Sequence, residues 1–192
     1  RICTVDDSHT ESKALAITLD KLSYVYSGGE NKPAVTVKAN GAALTPGTDY
    51  AVSYKDNVTK GTATVTVTGK GDYAGSVDKT FTVTAKSLTA TAAAATNRAY
   101  DGTAAVTVTA VTLDGVVGRD DVAVNTTGLK GTVSSPNASG TPYEMVSLNG
   151  LTLTGDKAGN YALAQVNVTL PTSVTISRAA PPTATAARPW KW

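Results

Sequence analysis

The sequence predicts an all-β chain built as two tandem small β-sandwich, Ig-like domains arranged end to end, with small β-grasp-like sheets as the alternative. Three observations carry this expectation. Threonine supplies 32 of the 192 residues and often alternates with valine; β-branched side chains pack well on a pleated surface and lose χ1 freedom in a helix. Alternating runs return every eight to twelve residues or so, with turn dipeptides between them and no helix-length apolar stripe. The chain also states one pattern twice. Tyr26-Ser27-Gly28 with Ala34-Val35-Thr36-Val37, then Gly69-Lys70-Gly71-Asp72-Tyr73-Ala74, returns as Tyr100-Asp101-Gly102 with Ala105-Val106-Thr107-Val108, then Gly155-Asp156-Lys157-Ala158-Gly159-Asn160-Tyr161-Ala162. Spacings of 74 residues between Tyr26 and Tyr100 and 88 between Tyr73 and Tyr161 are too long for a solenoid turn and suit a small domain used in tandem.

Residues 1–13 are polar and unpatterned, an N-terminal arm. Domain 1 spans 14–85, with strands expected near 16–20, 23–27, 34–39, 49–55, 61–69 and 76–84. Its clearest strand is Gly61 to Lys70, where Ala63, Val65 and Val67 share one face and Thr62, Thr64, Thr66 and Thr68 the other. Tyr50, Val52 and Tyr54 turn inward in the same way, as do Val77, Phe81 and Val83. Lys79 breaks that last register: a bulge turns it outward, or it snorkels near the strand end. The sharper alternative is a buried lysine that joins an Asn side chain through an isopeptide bond.

Domain 2 spans 86–178, with strands near 88–95, 104–113, 121–126, 128–134, 144–154, 160–170 and 173–177. Asn40-Gly41, Asn149-Gly150 and Asp114-Gly115 supply the positive φ angles of two-residue hairpins. The junction Ala85-Lys86-Ser87 holds no Pro, Gly or long spacer, which favours a rod of limited bending. Residues 179–192 form a Pro/Ala/Thr-rich tail ending in Trp190-Lys191-Trp192, read as an extended linker whose tryptophans anchor to a sugar, a lipid interface or a partner groove, or mark a boundary.

Composition excludes several classes. With 17 Lys and Arg against 15 Asp and Glu, scattered, the formal charge is +2, which is no nucleic-acid footprint. No stretch reaches the roughly 20 apolar residues of a spanning helix, so no membrane insertion is expected. The chain opens Arg1-Ile2-Cys3 without Met, as a processed piece of something longer would. Cys3, the single cysteine, forms no internal disulfide. The single Phe81 leaves little room for a wide apolar pocket.

At Tyr100-Asp101-Gly102, Ala105-Val106-Thr107-Val108, Gly150-Leu151-Thr152-Leu153-Thr154-Gly155 and Ala158-Gly159-Asn160-Tyr161, domain 2 resembles the YDG-type repeats of large bacterial surface and secreted proteins. Domain 1, through Tyr24-Val25-Tyr26-Ser27-Gly28, Pro33-Ala34-Val35-Thr36-Val37, Gly47-Thr48-Asp49-Tyr50, Gly61-Thr62-Ala63 and Gly69-Lys70-Gly71-Asp72-Tyr73, looks like the bacterial Ig-like repeats found beside them. The resemblance implies a bacterial surface protein: an extracellular, multi-domain adhesin or cell-wall protein, secreted or held at the cell surface. Such repeats serve there as stalks or ligand-facing modules, with further tandem domains of the parent chain and a host or neighbouring-cell glycan or protein as partner. No catalytic residue carries over, and no enzyme activity is expected.

The residues themselves offer little reaction chemistry. His9, the single histidine, lies in the polar arm, so a triad or metal centre lacks its other members. Asp120 and Asp121, with Asp114 near, either meet a cation from one loop or form a solvated turn. No catalytic, cofactor or metal residue is therefore assigned. Gly69-Lys70-Gly71 joins strand to strand without the helix N-terminus that holds phosphate. Asn57, Asn125, Asn137 and Asn167 head N-glycosylation patterns. The pairs Tyr24/Tyr26 and Tyr50/Tyr54 are core members, with sugar-stacking as the alternative. The proline-flanked polar loop of Ser134, Ser135, Pro136, Asn137, Ser139 and Thr141 is the expected contact surface of domain 2.

Overall fold

A computed structural model describes residues 15–73 and 75–181. Cys3, His9, Trp190, Trp192, the arm and most of the tail lie outside the described residues. Strands dominate; one 3-10 turn, Ala158–Asn160, is the only helical element among the described residues. Among these residues no helix is long and apolar enough to cross a membrane. The chain divides into two compact units, Arg1–Lys86 and Ser87–Trp192.

The first unit contains β1 (Leu15–Leu19), β2 (Ser23–Val25), β3 (Val35–Ala39), β4 (Ala42–Ala43), β5 (Tyr50–Lys55), β6 (Gly61–Gly69) and β7 (Ser76–Thr84). They form two sheets, of order β1-β3-β4 and β2-β7-β6-β5. Asn40-Gly41 makes the β3–β4 hairpin, with φ of 51° and 85° and Ala39 paired to Ala42; two successive positive φ values give the turn whose twist matches the strands. On β6, Ala63, Val65 and Val67 are fully buried; Phe81, Val83 and Tyr50 of the same sheet are buried too, as is Tyr26 just past β2. Ile17, Val37, Ala39 and Leu44 supply the buried positions of the other sheet and its edge. On the outer face, threonines bond across strands: Thr66 Oγ1 donates to Asp78 Oδ1 at 2.7 Å, and Thr68 and Ser76 hydroxyls meet at 2.7 Å.

β7 outruns the core. Its register with β6 is unbroken from Ser76 to Val83, so no bulge turns Lys79 away; Lys79 sits opposite Val65 and is exposed, and Val77 is exposed as well. Of the options for Lys79, burial for cross-linking is thereby corrected: a long flexible stem lets the ammonium reach water from an inward register position.

The second unit contains β8 (Lys86–Ala95), β9 (Arg98–Ala99), β10 (Ala105–Asp114), β11 (Ala123–Val124), β12 (Lys130–Thr132), β13 (Tyr143–Leu148), β14 (Leu153–Thr154), β15 (Tyr161–Leu163), β16 (Val168–Val174) and β17 (Ile176–Ser177). A six-stranded sheet runs β15-β8-β10-β12-β13-β16, with pairs β11-β14 and β17-β9 beside it. β10 spans two neighbours. Residues 105–107 pair with β12, and from Val108 onward the strand pairs with β8, with irregularities at Thr109 and again after Thr112. An extra residue in one strand bends it and raises its twist, which curls this sheet around a core of Ala93, Val106, Val108, Val124, Val133, Val146, Leu148, Leu151, Leu170, Val174 and Ile176. Gly131 lies at the centre: a Cβ there would collide with Val146 Cγ2 and come within 2.9 Å of Leu148 Cδ2.

Three expectations for this unit need correction. The strand expected over 144–154 breaks after Leu148, because Asn149-Gly150 is no hairpin; Gly150 (φ 67°) sends the chain from β13 to β14 in another sheet, and its N–H is held by Asn167 Oδ1 at 2.9 Å. Asp114-Gly115 likewise leads into a loop, where Val117 N–H bonds Tyr161 Oη at 3.1 Å and Asp120 N–H bonds Val117 O at 3.0 Å. The runs 160–170 and 173–177 redivide. β15 ends at Leu163, while β16 passes through Pro171 to Val174. Proline is tolerated there because β16 is at the edge of its sheet.

The two units repeat one device. β1 pairs antiparallel with β3, and β8 with β10; the short strands between them, β2 and β9, pair parallel with the last strand of their own unit, β7 and β17. Each short strand ends in the repeated motif. Tyr26 N–H bonds Thr84 O at 2.9 Å and Tyr100 N–H bonds Ser177 O at 2.8 Å. Gly28 and Gly102 then turn the chain away with φ of 80° and 83°.

Candidate contact site

The loop between β12 and β13 holds its own shape. Ser135 Oγ accepts from Asn137 N–H at 3.2 Å, and Ser139 Oγ accepts from Thr141 N–H at 3.2 Å; such hydroxyls stand in for a backbone turn partner. Ser139 N–H donates to Ile176 O at 3.0 Å, and Tyr143 Oη donates to Asn137 O at 2.7 Å. The loop is thus pinned to β17 and to the start of β13. Ser134, Asn137 and Thr141 are exposed, whereas Ser135, Pro136 and Ser139 are half-buried.

An open groove of about 1010 Å³ lies beside it, lined by Ser134, Thr141, Pro142, Tyr143, Glu144, Met145, Pro171, Thr172 and Ser173. Of the six expected contact residues, only Ser134 and Thr141 line it. Met145, 48% exposed, and Pro171, its partner across the β13–β16 register shift, were not legible as site residues. The available signal was a single methionine in an alternating run and a proline inside a strand, neither of which points to a groove before the bulge is known.

The other candidate groups are occupied with structure. Asp120 Oδ2 accepts from Tyr161 Oη at 2.6 Å, while Asp121 Oδ2 accepts from Asp156 N–H at 3.1 Å. Their carboxylates serve different partners, and Asp114 is exposed at the end of β10. Among the described residues no three metal-ligating side chains gather. Burial, and then the bond to Asp120, push the Tyr161 hydroxyl above its usual pKa.

The tyrosine pairs divide. Tyr26 and Tyr50 are buried, while Tyr24 and Tyr54 are half-buried. Tyr50 Oη reaches Val35 O at 3.3 Å and Tyr54 Oη reaches Pro33 O at 2.8 Å, linking the β5 sheet to the strand β3 and its approach. Tyr24 stands edge-on to Phe81, centroids 5.6 Å apart, with Lys21 Nζ 4.7 Å from its ring. The hydroxyls of Tyr50 and Tyr54 and the ring of Tyr24 are committed to the fold. Asn57 is buried: its Nδ2 donates to Asn31 O at 3.1 Å, and Asn31 Nδ2 returns a bond to Asn57 O at 3.0 Å. A glycosylation pattern whose amide is locked inside cannot be modified in the folded chain.

The repeated motif of the second unit is a polar knot. Asp101 Oδ1 accepts from Thr103 N–H at 2.9 Å, from Thr103 Oγ1 at 2.8 Å and from Arg98 Nη1 at 2.7 Å. Arg98 also donates to Ala105 O at 2.8 Å, to Ala99 O at 3.0 Å and to Thr103 O. Hydrogen bonds from Thr103, and then the Arg98 charge, hold the Asp101 carboxyl below the ordinary carboxylate range. These acceptors and the Asp101 carboxylate commit the Arg98 guanidinium to the fold.

Residues 84–168 match the YDG domain. The match runs from the end of β7 to the first residue of β16, so β17 and most of β16, which complete the unit, lie beyond it. No curated protein matches the chain, and no solved structure does.

Proposed function

From the premise that the chain carries a YDG domain, we propose a non-enzymatic structural and adhesive module of a bacterial extracellular surface protein, acting as stalk or display domain. In this reading each unit is a small Ig-like β-sandwich, the two stand in tandem end to end, and the parent chain continues with further domains. The observation that carries it is the repeated device described above: a first strand and a short parallel strand that close both units in the same way. Repetition of a scaffold favours reach and display over a single reaction centre. The aspartates support it too. Asp20, Asp49, Asp78, Asp101, Asp120 and Asp121 are each bonded to a backbone N–H or a hydroxyl that shapes a turn or strand.

One observation favours a second reading, a carbohydrate- or protein-binding module: the groove beside the Ser134–Thr141 loop, with exposed Met145 in its wall. Exposed apolar groups rimmed by polar ones mark contact sites. Purified chain applied to glycan and extracellular-matrix arrays, with small-angle scattering, separates the readings. Silence on the arrays and an elongated profile support the stalk. Reproducible binding to one ligand class, lost in Met145→Asp, supports the binding module and removes the first.

A further inference from the structure

We propose that each unit is built to carry tension, with its parallel strand pair acting as a clamp loaded in shear. This rests on the structural reading above and deepens it from display to load bearing. In the first unit the chain enters β2 at Ser23 and leaves β7 at Thr84, and the two strands run parallel with Ser23 opposite Thr82 and Val25 opposite Thr84. A pull on the chain meets β1 first, and once β1 is freed from β3 it draws β2 from its N-terminal end while β7 is drawn from its C-terminal end. Those points lie at opposite ends of one ladder, so its bonds are strained together. Had the two strands been antiparallel, both pulls would fall at one end and the bonds would break in succession.

Bonds beyond the register lengthen this ladder. Thr82 N–H donates to Leu22 O at 2.9 Å, Tyr26 N–H to Thr84 O at 2.9 Å and Thr84 Oγ1 to Tyr24 O at 3.0 Å. In the second unit a pull meets β8 first, bonded to both β10 and β15, and behind it β9 and β17 are paired over only two positions, Arg98 with Ile176 and Ala99 with Ser177. Side chains and flanking groups extend them. Thr175 N–H donates to Asn97 Oδ1 at 2.7 Å, Arg98 N–H to Thr175 O at 3.1 Å and Tyr100 N–H to Ser177 O at 2.8 Å. The Arg98 guanidinium then fastens β9 to Ala105 at the head of β10. The Tyr-Asp-Gly knot is, in this light, an anchor that stops β9 sliding.

Forced unfolding reports the barrier along the pulling direction, not equilibrium stability, so changing the direction in one fold isolates the clamp. The test is single-molecule pulling of the full chain carrying Cys3→Ser, attached either through Leu22→Cys and Ala85→Cys, which shears β2 against β7, or through Ser27→Cys and Ala85→Cys, which peels their shared end. Leu22 and Ser27 are exposed; should Ala85→Cys weaken the fold in urea, Lys86→Cys gives the same two geometries. Rupture at severalfold higher force in shear than in peeling, at equal denaturation midpoints, is the expected result. Equal forces in the two directions overturn the proposal. A clamp that holds while the arrays reveal a ligand removes the stalk reading alone; silent arrays with direction-independent rupture remove the clamp alone.

Discussion

Asp101 is the residue whose chemistry is easiest to interrogate. Its carboxyl is held below the usual range by Thr103 and Arg98. A depressed folded pKa stabilises the native state fully above the unfolded value of about 3.9, and that contribution disappears as pH falls through the folded value. Asp101→Asn should therefore lower stability at neutral pH, with a deficit against the parent that closes as the medium is acidified below about pH 4; urea midpoints across that window check it. The Asn31–Asn57 clasp is a second case. Truncating Asn57 to alanine leaves Asn31 O without its side-chain partner, and a buried group so orphaned costs about 1–3 kcal/mol, readable from a denaturant midpoint. At this scale some of the structure is legible in the sequence. Alternation places the tyrosines on the core face, and burial requires partners for their hydroxyls. The amide clasp is not legible, because Asn31 and Asn57 sit in loops whose meeting depends on how two sheets close.

Among the elements, β6 and β7 have the limits their sequence predicts, 61–69 and 76–84, because one strictly alternating strand and its neighbour leave little choice of register. β10 is one strand, as expected, yet its phase slip is written in the sequence. Val106 and Val108 face the core, then Thr109 and Ala110 are both exposed, then Val111 and Leu113 resume inward. Two outward residues in succession are what a bulge requires. The failures fall after β10, where Asp114-Gly115 imitates a hairpin, and on β13 to β16, where Asn149-Gly150 does the same and Pro171 imitates a stop; whether such residues join neighbours or switch sheets is decided by packing. Core side chains close tightly around Gly131 on β12. Gly131→Ala forces a methyl against Val146 and Leu148 and should lower stability by about 1–3 kcal/mol, since buried neighbours in a closed core yield poorly. Thermal unfolding followed by circular dichroism measures it.

For the whole molecule, two compact units with their own buried residues imply separately addressable stability. Phe81→Ala should remove about 3–5 kcal/mol and Leu88→Ala about 2–5 kcal/mol. Hydrogen exchange is expected to lose protection first in the unit that carries the change. The tandem plan is legible because the Tyr-Ser-Gly and Tyr-Asp-Gly turns recur at domain spacing, and each proves to end the short strand that runs beside its unit's last. The groove is not, because it arises from a bulge and a strand edge, features that need three dimensions. Pro171 on that outer strand has one more effect. Two kindred sheets on a single polypeptide invite strand exchange and fibrous stacking, and a rim position lacking a donor, beside a kinked neighbour, denies an incoming chain its ladder. Crowding at high concentration without tangling is what such a rim permits.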